Sequence, residues 1–163
     1  MKHSFSILAA LALVPAATLF AQQSTCKAVG GVLITNVGAI DGIYNLGPVF
    51  GDLRGSVAAK IVSQNSDGTF TLQHYWITDT GDTVNFKPAV LKPAGTGDSN
   101  VVAVLWGNYK SEISGGSGMY AGATGELEYF GAADFKQLTL VLRYRGQICT
   151  VPPPNSGEPR NPR

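Results

Sequence analysis

Between residues 31 and 149 the chain alternates short runs of β-branched and aromatic residues with clusters of turn formers. Nowhere in that span does an apolar i, i+3, i+4 pattern persist long enough for a helix. The runs cover 31–37, 56–65, 69–79, 82–91, 101–113, 125–131 and 136–149, with a further short one near 38–44. Between them lie Ser66-Asp67-Gly68, Thr80-Gly81, a Pro/Gly stretch at 93–97 and a glycine run opening at Gly115. Seven or eight antiparallel strands in about 120 residues predict a β-barrel or a sandwich.

The glycine run, GGSGMYAGATG from Gly115 to Gly125, has two readings. A phosphate-binding loop needs a helix behind it, whose first amides and dipole hold the anion. Here the spacing is GxGxxxG, no Lys-Ser/Thr pair follows, and Glu126-Leu-Glu-Tyr-Phe130 alternates polar and apolar as a strand does. The run therefore reads as a backbone corner between two strands, where glycine supplies positive φ or lets another segment approach closely.

The chain ends set the compartment. Met1-Lys-His-Ser, an apolar stretch from Ile7 to Phe20, and Ala21 before Gln22-Gln23-Ser24 have the layout of a secretory signal peptide over 1–21. That stretch is too short for a membrane span, and no second one follows, so a secreted or periplasmic protein is expected. The expected domain runs over 22–149, followed by a disordered proline-rich tail over 150–163. Cys26 and Cys149 bracket the strand-rich region, and in an oxidising compartment they are expected to pair, two free buried thiols being the other reading. A metal site is not expected, because His74 is the one histidine beyond the leader and no CxxC or HxxxH spacing occurs. Twelve Lys and Arg against eleven Asp and Glu, with no basic cluster, speak against nucleic acid as a partner.

Alternation assigns faces on the later strands. Leu138, Leu140, Leu142 and Tyr144 share one face, with Thr139, Arg143 and Arg145 on the other. Leu127 and Tyr129 likewise oppose Glu126 and Glu128, so a hairpin would set the glutamates beside the arginines in solvent. The strand around His74 admits two registers. A two-residue turn at Asp67-Gly68 puts Phe70, Leu72, His74 and Trp76 on the face of Val57, Ala59 and Ile61, inside. A two-residue turn at Thr80-Gly81 puts His74 across from Lys87 and makes Tyr75, Ile77, Val84 and Phe86 the apolar set. Both cannot hold with one inside face unless a bulge intervenes or both faces are covered.

The segment from Tyr109 to Gly125, YKSEISGGSGMYAGATG, resembles the glycine corner of the allene oxide cyclase and dirigent-like β-barrels. Leu142 to Cys149, LRYRGQIC, looks like the last strand of secreted bacterial members of that group, and Gly51-Asp-Leu-Arg-Gly55 with the turns at 67–69 and 81–83 fits the same layout. The resemblance covers most of 30–149. It implies an eight-stranded antiparallel β-barrel, calycin-like, whose lumen takes a small, largely apolar molecule, often within a trimer. Plant relatives cyclise a fatty-acid epoxide or steer the coupling of phenoxy radicals, and none of their catalytic residues carries over to a position here.

Two functions follow from different classes. In the first, the exported barrel poses a small apolar ligand as a cyclase, isomerase or dirigent-type template, without a cofactor. His74, the one neutral-pH proton carrier past the leader, is then the candidate catalytic group, with Phe70, Trp76 and Tyr144 as ligand-binding walls. In the second, the barrel is a filled core and its outer face assembles with a partner or into a homo-oligomer, a trimer or dimer. Val101-Val-Ala-Val-Leu-Trp106, apolar on both faces, suits a strand covered on its outside as well.

Overall fold

A computed structural model describes residues 24–151. The expected leader lies outside the described residues, as does the expected tail from 152 onward. Thr150 still pairs, with Thr25, in the last strand.

The strands are β1 (Thr25–Ile40), β2 (Tyr44–Gly51), β3 (Gly55–Gln64), β4 (Phe70–Thr78), β5 (Thr83–Phe86), β6 (Ala89–Leu91), β7 (Ala94–Gly95), β8 (Val101–Val104), β9 (Lys110–Gly116), β10 (Thr124–Asp134) and β11 (Thr139–Thr150). Pairing runs β11-β1-β2-β3-β4-β5-β9-β10, and β10 returns to β11, so the sheet closes as an antiparallel eight-stranded barrel. Closure leaves these staves no free edge. β6 prolongs the β5 stave along β4, and β8 prolongs the β9 stave along β10.

Both runs expected as single strands, 82–91 and 101–113, are thus interrupted, each for a local reason. Pro88 has no N–H to give the ladder, so β5 stops before it and the Gln73 side-chain amide donates to Phe86 O at 3.0 Å instead. On the neighbouring stave a turn closes with Asn108 N–H on Leu105 O at 3.0 Å, Gly107 taking φ 87°.

The register around His74 follows from the two flanking loops. The β3–β4 connection is longer than two residues and β3 carries an irregularity between Ile61 and Ser63. The combined displacement is even, so His74 faces inward opposite Ala59, with Trp76 opposite Val57. The β4–β5 loop is Asp79-Thr80-Gly81, closed by Thr78 N–H on Asp82 O at 2.8 Å with Gly81 at φ 87°. One residue more than the two-residue turn flips the faces: Val84 and Phe86 turn inward while Tyr75 and Ile77 stand about half exposed outside.

The glycine corner is a corner. β9 and β10 pair with each other, and between them lies one 3-10 turn, Gly118–Tyr120, with no helix after it. It is clipped to the β4–β5 loop. Thr83 N–H donates to Ser117 Oγ at 2.8 Å and Met119 N–H to Asp82 Oδ2 at 3.3 Å. At Gly118, φ 53°, a Cβ would lie 1.8 Å from the Asp82 carboxylate, so a side chain there would strain the backbone and displace Asp82 from its hydrogen bond to Met119 N–H.

Inward-facing side chains fill the barrel toward one end. There Leu53, in the β2–β3 loop and 1% exposed, meets Trp76, Tyr120 and Tyr144. The same end carries both limits of the described chain, joined by a Cys26–Cys149 disulfide between directly opposed residues of β1 and β11. Outside, Glu128 holds Arg145 at 2.9 Å, the expected kind of solvent pair, with the Arg145 guanidinium 4.1 Å over Trp106, while Glu126 pairs with Lys110 of β9 at 3.0 Å and not with an arginine. Leu138 departs from its expected inward face. It takes φ 53° in the β10–β11 turn and is 54% exposed.

Candidate functional site

Alternation on β1, β3, β4, β10 and β11 aims Leu33, Thr35, Ala59, Leu72, His74, Tyr129 and Leu142 into the lumen half away from the disulfide. They leave a partly open cavity of about 40 Å³, with Leu91 and Leu140 half-buried toward its outer rim. Its lining is apolar except for Thr35, Asn45, His74 and the hydroxyls of Tyr109 and Tyr129, and no side chain of fixed charge borders it.

His74 is the centre of the polar part. Its ring lies against Tyr129 at 5.7 Å, stacked, and edge-on to Phe86 at 5.6 Å. Nε2 pairs with the Tyr109 hydroxyl at 2.5 Å, whereas Nδ1 is buried and has no hydrogen-bond partner among the described residues. Loss of water around the ring holds its pKa down to about 4, so His74 is neutral at pH 7. Burial also raises both phenols, and the neighbouring Tyr129 raises Tyr109 further, so neither ionises near neutrality. Tyr129 is held separately, its hydroxyl 2.7 Å from Ser111 Oγ.

Thr35 was not legible as a site residue. It is 3% exposed, lines the same cavity, and its Oγ1 is the other buried side-chain atom among the described residues without a partner. The signal available in the sequence was its place two residues after Leu33 on an inward face. Orphaned buried polar atoms each cost about 1–3 kcal/mol, so two around one cavity require an explanation.

The remaining expected residues sit elsewhere in the lumen. Trp76 lies one inward position below His74 on β4, its Nε1–H donating to Leu53 O at 3.1 Å, while Leu53 N–H donates to the Tyr144 hydroxyl at 3.0 Å. The two aromatics clamp one buried loop residue and pack edge-to-face at 5.4 Å. Phe70 is half-buried opposite Leu91, packed against the core from above. None of the three borders the cavity, so the structure brings His74 to it and sets Phe70, Trp76 and Tyr144 around it. Among the described residues no group of three or more His, Cys, Asp or Glu is placed to hold a metal ion, and no helix is long and apolar enough to cross a membrane.

No family model matches the chain, and no curated protein matches it. Among solved structures it is similar to a pterocarpan synthase dirigent protein, at 13% identity and a TM-score of 0.36, over 86% of this chain and 97% of that one. At that distance the likeness bears on neither ligand nor activity.

Proposed function

We propose that the protein is an exported barrel that binds a small, largely apolar molecule in its lumen and acts on it as a dirigent-type template. The observation that carries this is the partly open apolar cavity lined in part by His74, whose buried Nδ1 has no partner among the described residues. A ligand atom would complete that hydrogen bond while the surrounding aliphatic walls bury its body. With its pKa near 4, His74 is a weak base at pH 7. It orients and polarises a bound group, which favours posing a ligand over cyclase or isomerase chemistry that needs proton abstraction. In this reading Trp76 and Tyr144 are the floor beneath the site and Phe70 backs Leu91 outside its rim. The leader-like first 21 residues support export, and the disulfide is compatible with it.

A second reading, an interaction module with a filled core, is favoured by the outer face. Ile34 and Val141 oppose each other in register and stand 42% and 48% exposed, beside exposed Phe50 and Phe130. Such a band suits a dimer or trimer contact.

Native mass spectrometry of the purified protein separates the readings. The lumen reading expects a bound organic mass that disappears in Ala59→Leu, which fills the cavity while the circular dichroism spectrum is kept. A mass retained by Ala59→Leu places the ligand outside the lumen. An oligomer with no ligand under any condition supports the module instead.

A further inference from the structure

We infer that the lumen ligand is a neutral, oxygen-bearing molecule whose acceptor oxygen takes a hydrogen bond from His74 Nδ1–H, with the Thr35 hydroxyl as a second polar contact. The inference rests on the lumen reading and adds the chemistry of the ligand to it.

The donor assignment comes from the Tyr109 contact. A neutral imidazole carries its proton on one nitrogen and offers a lone pair on the other. Among the described residues the Tyr109 hydroxyl has His74 Nε2 as its one hydrogen-bond partner. Were the proton on Nε2, the tyrosine oxygen would accept it and the phenolic hydrogen would be buried with no acceptor, at a cost of about 1–3 kcal/mol. With the proton on Nδ1, Tyr109 donates to Nε2 and Nδ1–H alone is left without a partner, one orphan in place of two. Nδ1–H is then an unused donor on a ring that lines the cavity, reached by a ligand when the ring or its neighbours give way slightly.

Thr35 faces the same cavity from β1, with β2 and β3 between it and β4 in the sheet. Its hydroxyl both donates and accepts, so it complements an oxygen or a polar hydrogen on the ligand.

Charge and size narrow the class. No Lys or Arg borders the cavity, so a carboxylate entering it loses its water without a counter-charge. A plain hydrocarbon leaves both orphaned polar atoms unpaired. A cavity of about 40 Å³ holds the volume of about three waters, enough for a carbonyl group and its adjacent carbons. A longer apolar tail leaves past Leu91 and Leu140 at the rim. Ketones, aldehydes and esters on a compact apolar chain satisfy all three conditions.

The test compares methyl pentyl ketone, heptane and heptanoate at pH 7 by NMR titration of the isotope-labelled protein. The ketone should bind about tenfold or more tighter than either of the others, the size of one buried hydrogen bond. In His74→Leu that ratio should fall to about twofold, and Thr35→Val should narrow it in part. The His74 ring nitrogen spectrum should show the proton on Nδ1 and a shift of that resonance on adding the ketone. Equal affinity for the three probes, or a proton on Nε2, overturns the inference and leaves the lumen reading standing. Failure of ketone and heptane alike to bind removes the lumen reading and the inference together.

Discussion

Acidification between pH 6.5 and 4 should destabilise this protein through one residue. In the unfolded chain His74 takes a proton near pH 6.5, whereas in the barrel burial delays protonation until about pH 4. Across that window the unfolded state binds more protons, so stability is complete above pH 6.5 and is lost as pH falls toward 4. About 2.5 pH units at about 1.4 kcal/mol each make a loss of about 3 kcal/mol, a large part of a usual domain stability. Nothing near the ring offsets it. Phe86, Tyr109 and Tyr129 pack against His74, both phenols stay protonated, and no carboxylate lines the cavity. Asp67 and Glu128, whose pKa values are lowered by Thr69 and Arg145 respectively, titrate elsewhere and equally in any His74 variant. Urea unfolding of the wild type and of His74→Leu at pH 7.5, 6, 5 and 4 isolates the effect. Relative to the variant, the wild-type midpoint should fall by about 1–3 M urea over this range. Parallel curves for the two proteins would refute the reasoning, because they would mean that His74 is protonated inside the barrel at no cost.

Further expectations concern the framework. Non-reducing mass analysis should find no alkylatable thiol, and Cys26→Ser with Cys149→Ser should lower stability by up to about 5 kcal/mol, the chain-entropy value for a link across 123 residues; two free thiols in the native protein would contradict the bond. Gly118→Val should lower the melting temperature more than Gly122→Val, since both residues have positive φ but only the first meets the Asp82 carboxylate; equal effects would assign the cost to backbone conformation alone. Tyr144→Phe should cost about 1–3 kcal/mol by stranding the buried Leu53 N–H, with ketone affinity unchanged. A fall in that affinity would make Tyr144 a ligand wall after all.

The barrel was legible because alternation and turn chemistry are local. Leu142 and Tyr144 inside, with Arg145 outside against Glu128, can be read from the sequence itself. Loop length was not legible to one residue, and one residue decides the face. Adding Asp79 to the Thr80-Gly81 turn is what sends Phe86 inward and Tyr75 outward. β2 was hidden because Gly47, Pro48 and Gly51 lower its strand signal; those glycines are there because β1 runs so close that a Cβ on Gly47 would lie 2.0 Å from Ile34 O. Of the candidate site, His74 was singled out in the sequence by its chemistry. Thr35 was missed because an inward threonine looks like any other strand residue until its hydroxyl is seen to lack a partner.

The disulfide lies at the closed end, and the cavity opens toward the other. Anything joined to the chain before Ser24 or after Val151, whether a tag, a surface or a further stretch of polypeptide, therefore attaches at the base of the cup. Held at this end, the protein would present its mouth outward to solution, and on the proposed lumen reading ligand exchange should proceed at the rate of the free molecule.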